Sequence, residues 1–270
     1  MDLSAYLTRI GYAGDLTPTR ETLAAVQRAH LLAIPYENLD VQLGRPRTTA
    51  VAEAYAKMVG GRRGGWCYDM NGLLGWALKE MGFSVRRLAT GVYRSGSGDE
   101  AVGNHLVLRV DFEDGLLLAD AGLAGGPFTP YPAVEGEFSA HGFNFRLEAV
   151  EDGWWRLHNH PAGMAPNFDF HLERTDEAAL SRVCQHLQTD PQSIFVQNLV
   201  CQKFTPDGEI QLRGRVLRRT TPAGVDESVL GSADEFMALL GSEFDIDEPE
   251  AAGLWPRICE RHAELFAAST

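Results

Sequence analysis

A chain of 270 residues with 44% hydrophobic side chains has room for one large domain or two to three small ones, and enough apolar material for a core. Its formal net charge of −13 argues against a nucleic-acid or anionic-membrane surface. No apolar run is long enough to span a bilayer, the start lacks the basic-then-apolar pattern of a signal peptide, and four scattered cysteines without a C-x-x-C pair read as free thiols in a reducing cytoplasm.

The first third reads as helical. Leu3, Tyr6, Leu7 and Ile10 share one helix face. Thr17-Pro18 reads as an N-cap followed by a first-turn proline, and Leu23, Val26, Ala29 and Leu32 carry that second helix to Pro35. A third helix over 50–59 stops at Gly60-Gly61. In Arg63-Gly64-Gly65-Trp66-Cys67 two glycines free the backbone. Leu73, Leu74, Ala77, Leu78 and Met81 then recur at helical spacing until Gly82. Cys67 therefore opens a helix, whose unpaired N–H groups and dipole favour a thiolate. Small Gly64 and Gly65 are expected to let another molecule approach the sulfur.

From Phe83 the period changes to that of strands. Val85, Leu88, Val92 and Tyr93 lie in a β-like stretch, 95–99 reads as a loop, and 105–110 and 116–120 read as strands. A Gly/Pro loop follows over 122–132, then strands over 143–147, 154–157 and 168–172. This is a meander of short antiparallel strands, a small barrel or a curled sheet. Thr175 caps a short helix over 177–187, segments 196–204 and 209–217 form a hairpin around Thr205-Pro206-Asp207-Gly208, and 233–240 and 255–266 are helical.

One hairpin bears on chemistry. If Asp111 to Asp114 form its loop, Val110 pairs with Gly115 and His105 stands opposite Asp120 on one face. A tight turn at Asp114-Gly115 pairs Arg109 with Asp120 instead, and a one-residue slip separates the two side chains to opposite faces. An aspartate in Leu-Leu-Leu-Ala-Asp-Ala-Gly is expected to be buried and to need a partner, for which His105 is suited. Cys67, His105 and Asp120 make a complete nucleophilic set: a thiol that attacks, an imidazole that moves protons, a carboxylate that fixes the tautomer. His158, Asn159, His160 and His171 lack metal-ligand spacing, so no metal is expected; Cys184, Cys201 and Cys259 read as structural or incidental.

At these residues the sequence resembles the arylamine N-acetyltransferase family, over nearly the whole chain. Ala5-Tyr6-Leu7 with Ile10-Gly11-Tyr12, the run from His30 to Leu39, and Arg63-Gly64-Gly65-Trp66-Cys67 are similar to the family's signatures, and the His105 strand and Asp120 turn match its remaining triad positions. The resemblance implies an α+β multidomain fold: an N-terminal helical bundle (1–84) carrying the nucleophile, a central antiparallel β-barrel (85–195) carrying His and Asp, and a C-terminal α/β lid (196–270), around a Cys-His-Asp core like that of cysteine proteases. It implies ping-pong transfer from acetyl-coenzyme A through a Cys67 thioester to an arylamine, hydrazine or arylhydroxylamine. It assigns Glu37 and Arg63 to a structural pair, Tyr36, Phe128 and Phe195 to the acceptor site, and the loop with Gly122, Gly125 and Gly126 to the coenzyme. The usual Asp-Val-Gly-Phe-Gly run reads Asp120-Ala121-Gly122-Leu123-Ala124 here, and Met70 stands where a polar residue is common. The alternatives are an amide synthase of the same superfamily, which takes a long acyl chain from an acyl carrier protein and closes a macrolactam, and a Cys-His-Asp hydrolase.

Overall fold

The computed structural model describes residues 1–267. Its first helix, Leu3–Ile10, is capped by the Asp2 side chain and ended by Gly11 at φ +67. The second, Arg20–Ala33, starts later than the Thr17-Pro18 reading: Thr17 is held by the Asp15 carboxylate, and Thr19 caps the N–H of Thr22. Ile34 and Pro35 end it as expected. The third segment divides into an α-turn, Val51–Tyr55, and a π-turn, Ala56–Gly60. The helix opened by Cys67 runs Cys67–Glu80.

Strand β1 (Tyr36–Glu37) is too short for any periodicity. Then come β2 (Ser84–Val92), β3 (His105–Phe112), β4 (Gly115–Ala119), β5 (Tyr131–Pro132), β6 (Gly136–Ala140), β7 (Phe143–Ala149), β8 (Trp154–His158) and β9 (Asn167–His171). Segment 95–99 is not an open loop but two short helical turns, Arg94–Ser97 and Gly98–Ala101. Strands β2 to β9 form one antiparallel sheet in the order β5-β4-β3-β2-β9-β8-β7-β6. It curls until its two edges meet through side chains, Tyr131 of β5 stacking on Phe138 of β6 at 5.2 Å. The Cys67 helix packs on β2 and β3, burying Leu73, Leu74, Ala77 and Leu78.

The hairpin follows neither expected register. Phe112 pairs with Gly115 and Leu108 with Ala119, so the turn is Glu113-Asp114, with Gly115 at φ +140. Continuing that pairing by one step puts Asp120 opposite Val107, two residues from His105. A two-residue offset preserves the face, so His105 and Asp120 meet diagonally.

After helix Glu177–Thr189, capped by Asp176 rather than Thr175, and a short turn of helix Ile194–Gln197, the chain forms β10 (Val200–Thr205), β11 (Gly208–Arg213), β12 (Val216–Thr221) and β13 (Gly224–Val229). The expected hairpin is β10–β11, but Leu217 lies in the next strand, beyond a turn at Gly214-Arg215. The second sheet has the order β1-β10-β11-β12-β13. One face, with Cys201, Ile210, Leu212 and Leu217, packs on Phe236, Leu239 and Leu240 of helix Ala233–Ser242 and Ile258 of helix Trp255–Ala267. The other face carries the rows Gln202–Gln211–Arg218 and Phe204–Glu209–Thr220, polar except for Phe204. Among the described residues no helix is long and apolar enough to cross a membrane.

Candidate active site

Cys67 is the first residue of its helix, with Trp66 as N-cap. The two glycines before it serve a different purpose from the one expected. A Cβ on Gly64 would stand 2.1 Å from the Pro35 carbonyl oxygen, and one on Gly65 would stand 2.4 Å from the Asp69 Cβ. They let the chain pack against β1 and the helix's own first turn, and Gly65 bridges Tyr36.

His105 opens β3, and Asp120 follows the last residue of β4. The Nε2 of His105 lies 2.7 Å from Oδ2 of Asp120, both side chains buried. Oδ1 of Asp120 accepts from the Asn71 amide at 2.8 Å and from the Gly122 N–H at 2.7 Å. Burial alone would push the Asp120 carboxyl up, but His105, Asn71 and the Gly122 N–H outweigh it and hold it below the usual carboxylate range. Asn71 was not recognised in the sequence; it also donates to the Leu106 carbonyl at 2.6 Å and accepts from the Ala121 N–H at 2.7 Å. Its signal was its place four residues after Cys67, on the same helix face.

Gly122 returns to Cys67: a Cβ there would come within 2.6 Å of the Cys67 Cα. The Cys67 thiol lies 3.9 Å from the Asn104 carbonyl. Burial pushes this thiol well up, Cys184 and Asp120 add to that, and the Leu106 N–H opposes it. The helix-start dipole, worth at most about 2 kcal/mol, does not offset full enclosure. A proton leaving this sulfur for solvent would leave an isolated buried charge, whereas one passing to His105 would leave a paired one.

Cys67 and His105 line one cavity of about 230 Å³, with Tyr36, Gly122, Leu123 and Phe195 among its walls. Phe128 is not among the lining residues. It is buried between the rings of His141 and Phe204 with the Arg28 guanidinium over it. Gly125 and Gly126 also lie outside the lining. A second groove, of about 420 Å³, shares Met164, Asn198 and Arg213 with the first and adds Arg215, Arg218, Arg257 and Arg261.

Glu37 and Arg63 meet at 3.0 Å and both are buried, within a larger set of charges. Lys57 reaches Glu37 at 3.0 Å and Asp40 at 2.9 Å, Arg47 reaches Asp69 at 3.0 Å, and Arg63 also bonds Glu248. Burial would lower the Lys57 ammonium, but Glu37, Asp69 and Asp40 raise it. The set braces β1, the π-turn and the Cys67 helix against one another.

A family model described as N-acetyltransferase matches residues 19–251. The chain is 34% identical over 269 residues to an arylamine N-acetyltransferase of Mycolicibacterium smegmatis, covering 94% of each. A solved structure of the Mycobacterium smegmatis arylamine N-acetyltransferase superposes with a TM-score of 0.87 at 33% identity, over 96% of this chain and 98% of that one. The Mycobacterium marinum arylamine N-acetyltransferase in complex with CoA superposes with a TM-score of 0.85 at 30% identity, over 96% and 98%. With the nucleophile motif, the hairpin and both sheets falling inside these matches, the chain belongs to the arylamine N-acetyltransferase family.

Proposed function

We propose that Cys67 is the nucleophile of a ping-pong acetyl transfer from acetyl-coenzyme A to an arylamine, hydrazine or arylhydroxylamine. The observation that carries this is the buried 2.7 Å His105–Asp120 pair, whose imidazole lines one cavity with Cys67. Asp120 engages Nε2, which leaves Nδ1 of His105 to take the thiol proton. The sulfur attacks the acetyl carbonyl; coenzyme A leaves as its thiol, carrying the proton back from the imidazolium; a Cys67 thioester remains. The amine nitrogen attacks that thioester, His105 takes the amine proton and returns it to the departing Cys67 sulfur, and the amide is released. Tyr36 and Phe195 supply flat apolar surface for the acceptor.

The arginine-lined groove joined to the cavity supports a polyanionic donor: Arg213, Arg215, Arg218, Arg257 and Arg261 would face the phosphates of coenzyme A. In this reading residues 1–84 carry the nucleophile, 85–195 carry His105 and Asp120, and 196–270 act as a lid. Four free cysteines support a cytoplasmic location.

The test is intact-protein mass after mixing with acetyl-coenzyme A, beside Cys67→Ala. A single acetyl adduct on the wild type alone, discharged by an arylamine, is the expected result. No adduct on an enzyme whose Cys67 still alkylates would overturn the acetyl-coenzyme A donor and favour an acyl carrier protein and the amide-synthase chemistry.

A further inference from the structure

Glu209 is a carboxylate that the acetyl transfer does not use. It sits on β11 with 3% of its surface exposed, on the polar face of the second sheet. Gln202 Nε2 donates to Oε2 at 3.0 Å and Gln211 Nε2 to Oε1 at 2.7 Å. A third donor is the backbone N–H of Gly125. The Gly125 carbonyl in turn accepts from His160, itself 5% exposed and stacked on Phe143 at 4.2 Å. Gly125 has no room for a side chain: with φ at +73, a Cβ on it would meet Gly163 Cα at 2.8 Å, Glu209 Oε1 at 3.2 Å and His160 Nε2 at 3.4 Å.

Both polar groups of one glycine are thus gripped by two buried titratable side chains from different parts of the fold. Three residues earlier the same segment presses Gly122 against the Cys67 backbone, and Gly122, Leu123 and Ala124 form a wall of the cavity. We propose that Glu209, with His160, is a positioning residue that fixes the 122–126 segment against the nucleophile, and that the charge state of Glu209 tightens or loosens that wall. The link to catalysis rests on reading Cys67 as the nucleophile.

The chemistry gives the direction. An ionised Glu209 accepts from all three donors; a protonated one gains an O–H donor that faces neighbours already pointing N–H groups at it. The charged or titratable groups facing it are His160, from the segment after β8, and Arg218, from β12; Lys203 on β10 belongs to the opposite face. Burial pushes the Glu209 carboxyl up to about 7, with Gln211, Gln202, Gly125 and Arg218 opposing. The wall is therefore tight above neutrality and loosened below it.

The experiment pairs the wild type with Glu209→Gln. Hydrogen exchange of peptides spanning 121–128, corrected for its intrinsic pH dependence, is expected to quicken as pH falls from about 8 to 6 in the wild type only. Over that interval the ionised fraction falls about tenfold, and kcat/KM for acetyl-coenzyme A is expected to fall by up to that factor beyond any change in Glu209→Gln. Superimposable exchange profiles would overturn the proposal, whichever residue is the nucleophile. Turnover retained by Cys67→Ala would instead overturn the nucleophile and leave the exchange result standing. If Glu209→Gln does not fold, Glu209→Asp decides: its shorter carboxylate is expected to keep the pH step and to raise exchange at pH 8, and unchanged exchange there would overturn the proposal.

Discussion

Asn71 donates its side-chain amide to Oδ1 of Asp120 at 2.8 Å, from one helical turn beyond Cys67. The helix that presents the sulfur therefore also holds the carboxylate that orients the imidazole. Asn71→Ala strips a partner from Asp120 and leaves the Leu106 carbonyl and Ala121 N–H without theirs. It is expected to cost about 1–3 kcal/mol of stability and to lower kcat by more than tenfold at saturating amine. Urea unfolding and steady-state kinetics check both.

Enclosure pushes the Cys67 thiol up, so its reactivity depends on an internal proton acceptor. His105→Gln is expected to slow iodoacetamide alkylation of Cys67 at neutral pH on the order of a hundredfold. Asp120→Asn retains the imidazole but favours the wrong tautomer, and turnover is expected to fall by up to about 10⁴. Alkylation in His105→Gln at the wild-type rate would remove the internal acceptor from the mechanism.

The contact of Gly122 with Cys67 gives a paired substitution. Gly122→Ala places a methyl 2.6 Å from backbone, which must shift. It is expected to abolish acetyl-enzyme formation and lower Tm. Gly60→Ala, at a position with nothing within 4 Å, is expected to leave both unchanged. Differential scanning fluorimetry and the mass assay separate the two.

Asp120 sets an acid limb. Its carboxyl is held below the ordinary range, so its ionisation favours the folded state. That contribution is fully present above the unfolded value of about 3.9 and is lost as pH falls through the depressed folded value, at about 1.4 kcal/mol per unit of depression. The stability difference between wild type and Asp120→Asn is expected to be constant above about pH 5 and to shrink in stronger acid. Urea titrations across that range measure it; a difference independent of pH would contradict the assignment.

The buried charges around Glu37 predict an asymmetry. Lys57→Met leaves Glu37 and Asp40 short of a cation and is expected to cost about 3–5 kcal/mol. Arg20→Ala, which breaks the exposed pair with Asp114, is expected to cost less than about 1 kcal/mol.

What the sequence made legible was whatever periodicity or residue chemistry could carry. The Cys67 helix showed in Leu73, Leu74, Ala77 and Leu78, and the His105 and Asp120 strands in their apolar runs. The register between those strands was off by two because Glu113-Asp114 turns with Gly115 at positive φ, yet parity kept both side chains on one face. Strand β1 was invisible, since two residues have no period. Nothing in the residues around Lys57 marks it as buried; the π-turn and the arrival of β1 bury it. Phe128 entered the acceptor site through the family resemblance alone, but Phe204 from the distant β10 encloses it. The hairpin pattern carries no sign that Glu209 and Gln211 are buried, because the segment that covers that face of the sheet lies more than eighty residues earlier in the chain.

Strand β1 has one more consequence, in the order of synthesis. Tyr36 and Glu37 pair with Gln202 and Cys201, and the Asn38 amide is satisfied by Asn198, 160 positions later. A ribosome that has already released the Cys67 helix has yet to make the strand against which the Tyr36 wall is ordered. Contacts of such separation are costly to close and form late. The emerging chain therefore carries Cys67 long before it carries a closed cavity around it, and a chain truncated ahead of Val200 would leave β1 without its ladder and Cys67 open on that side.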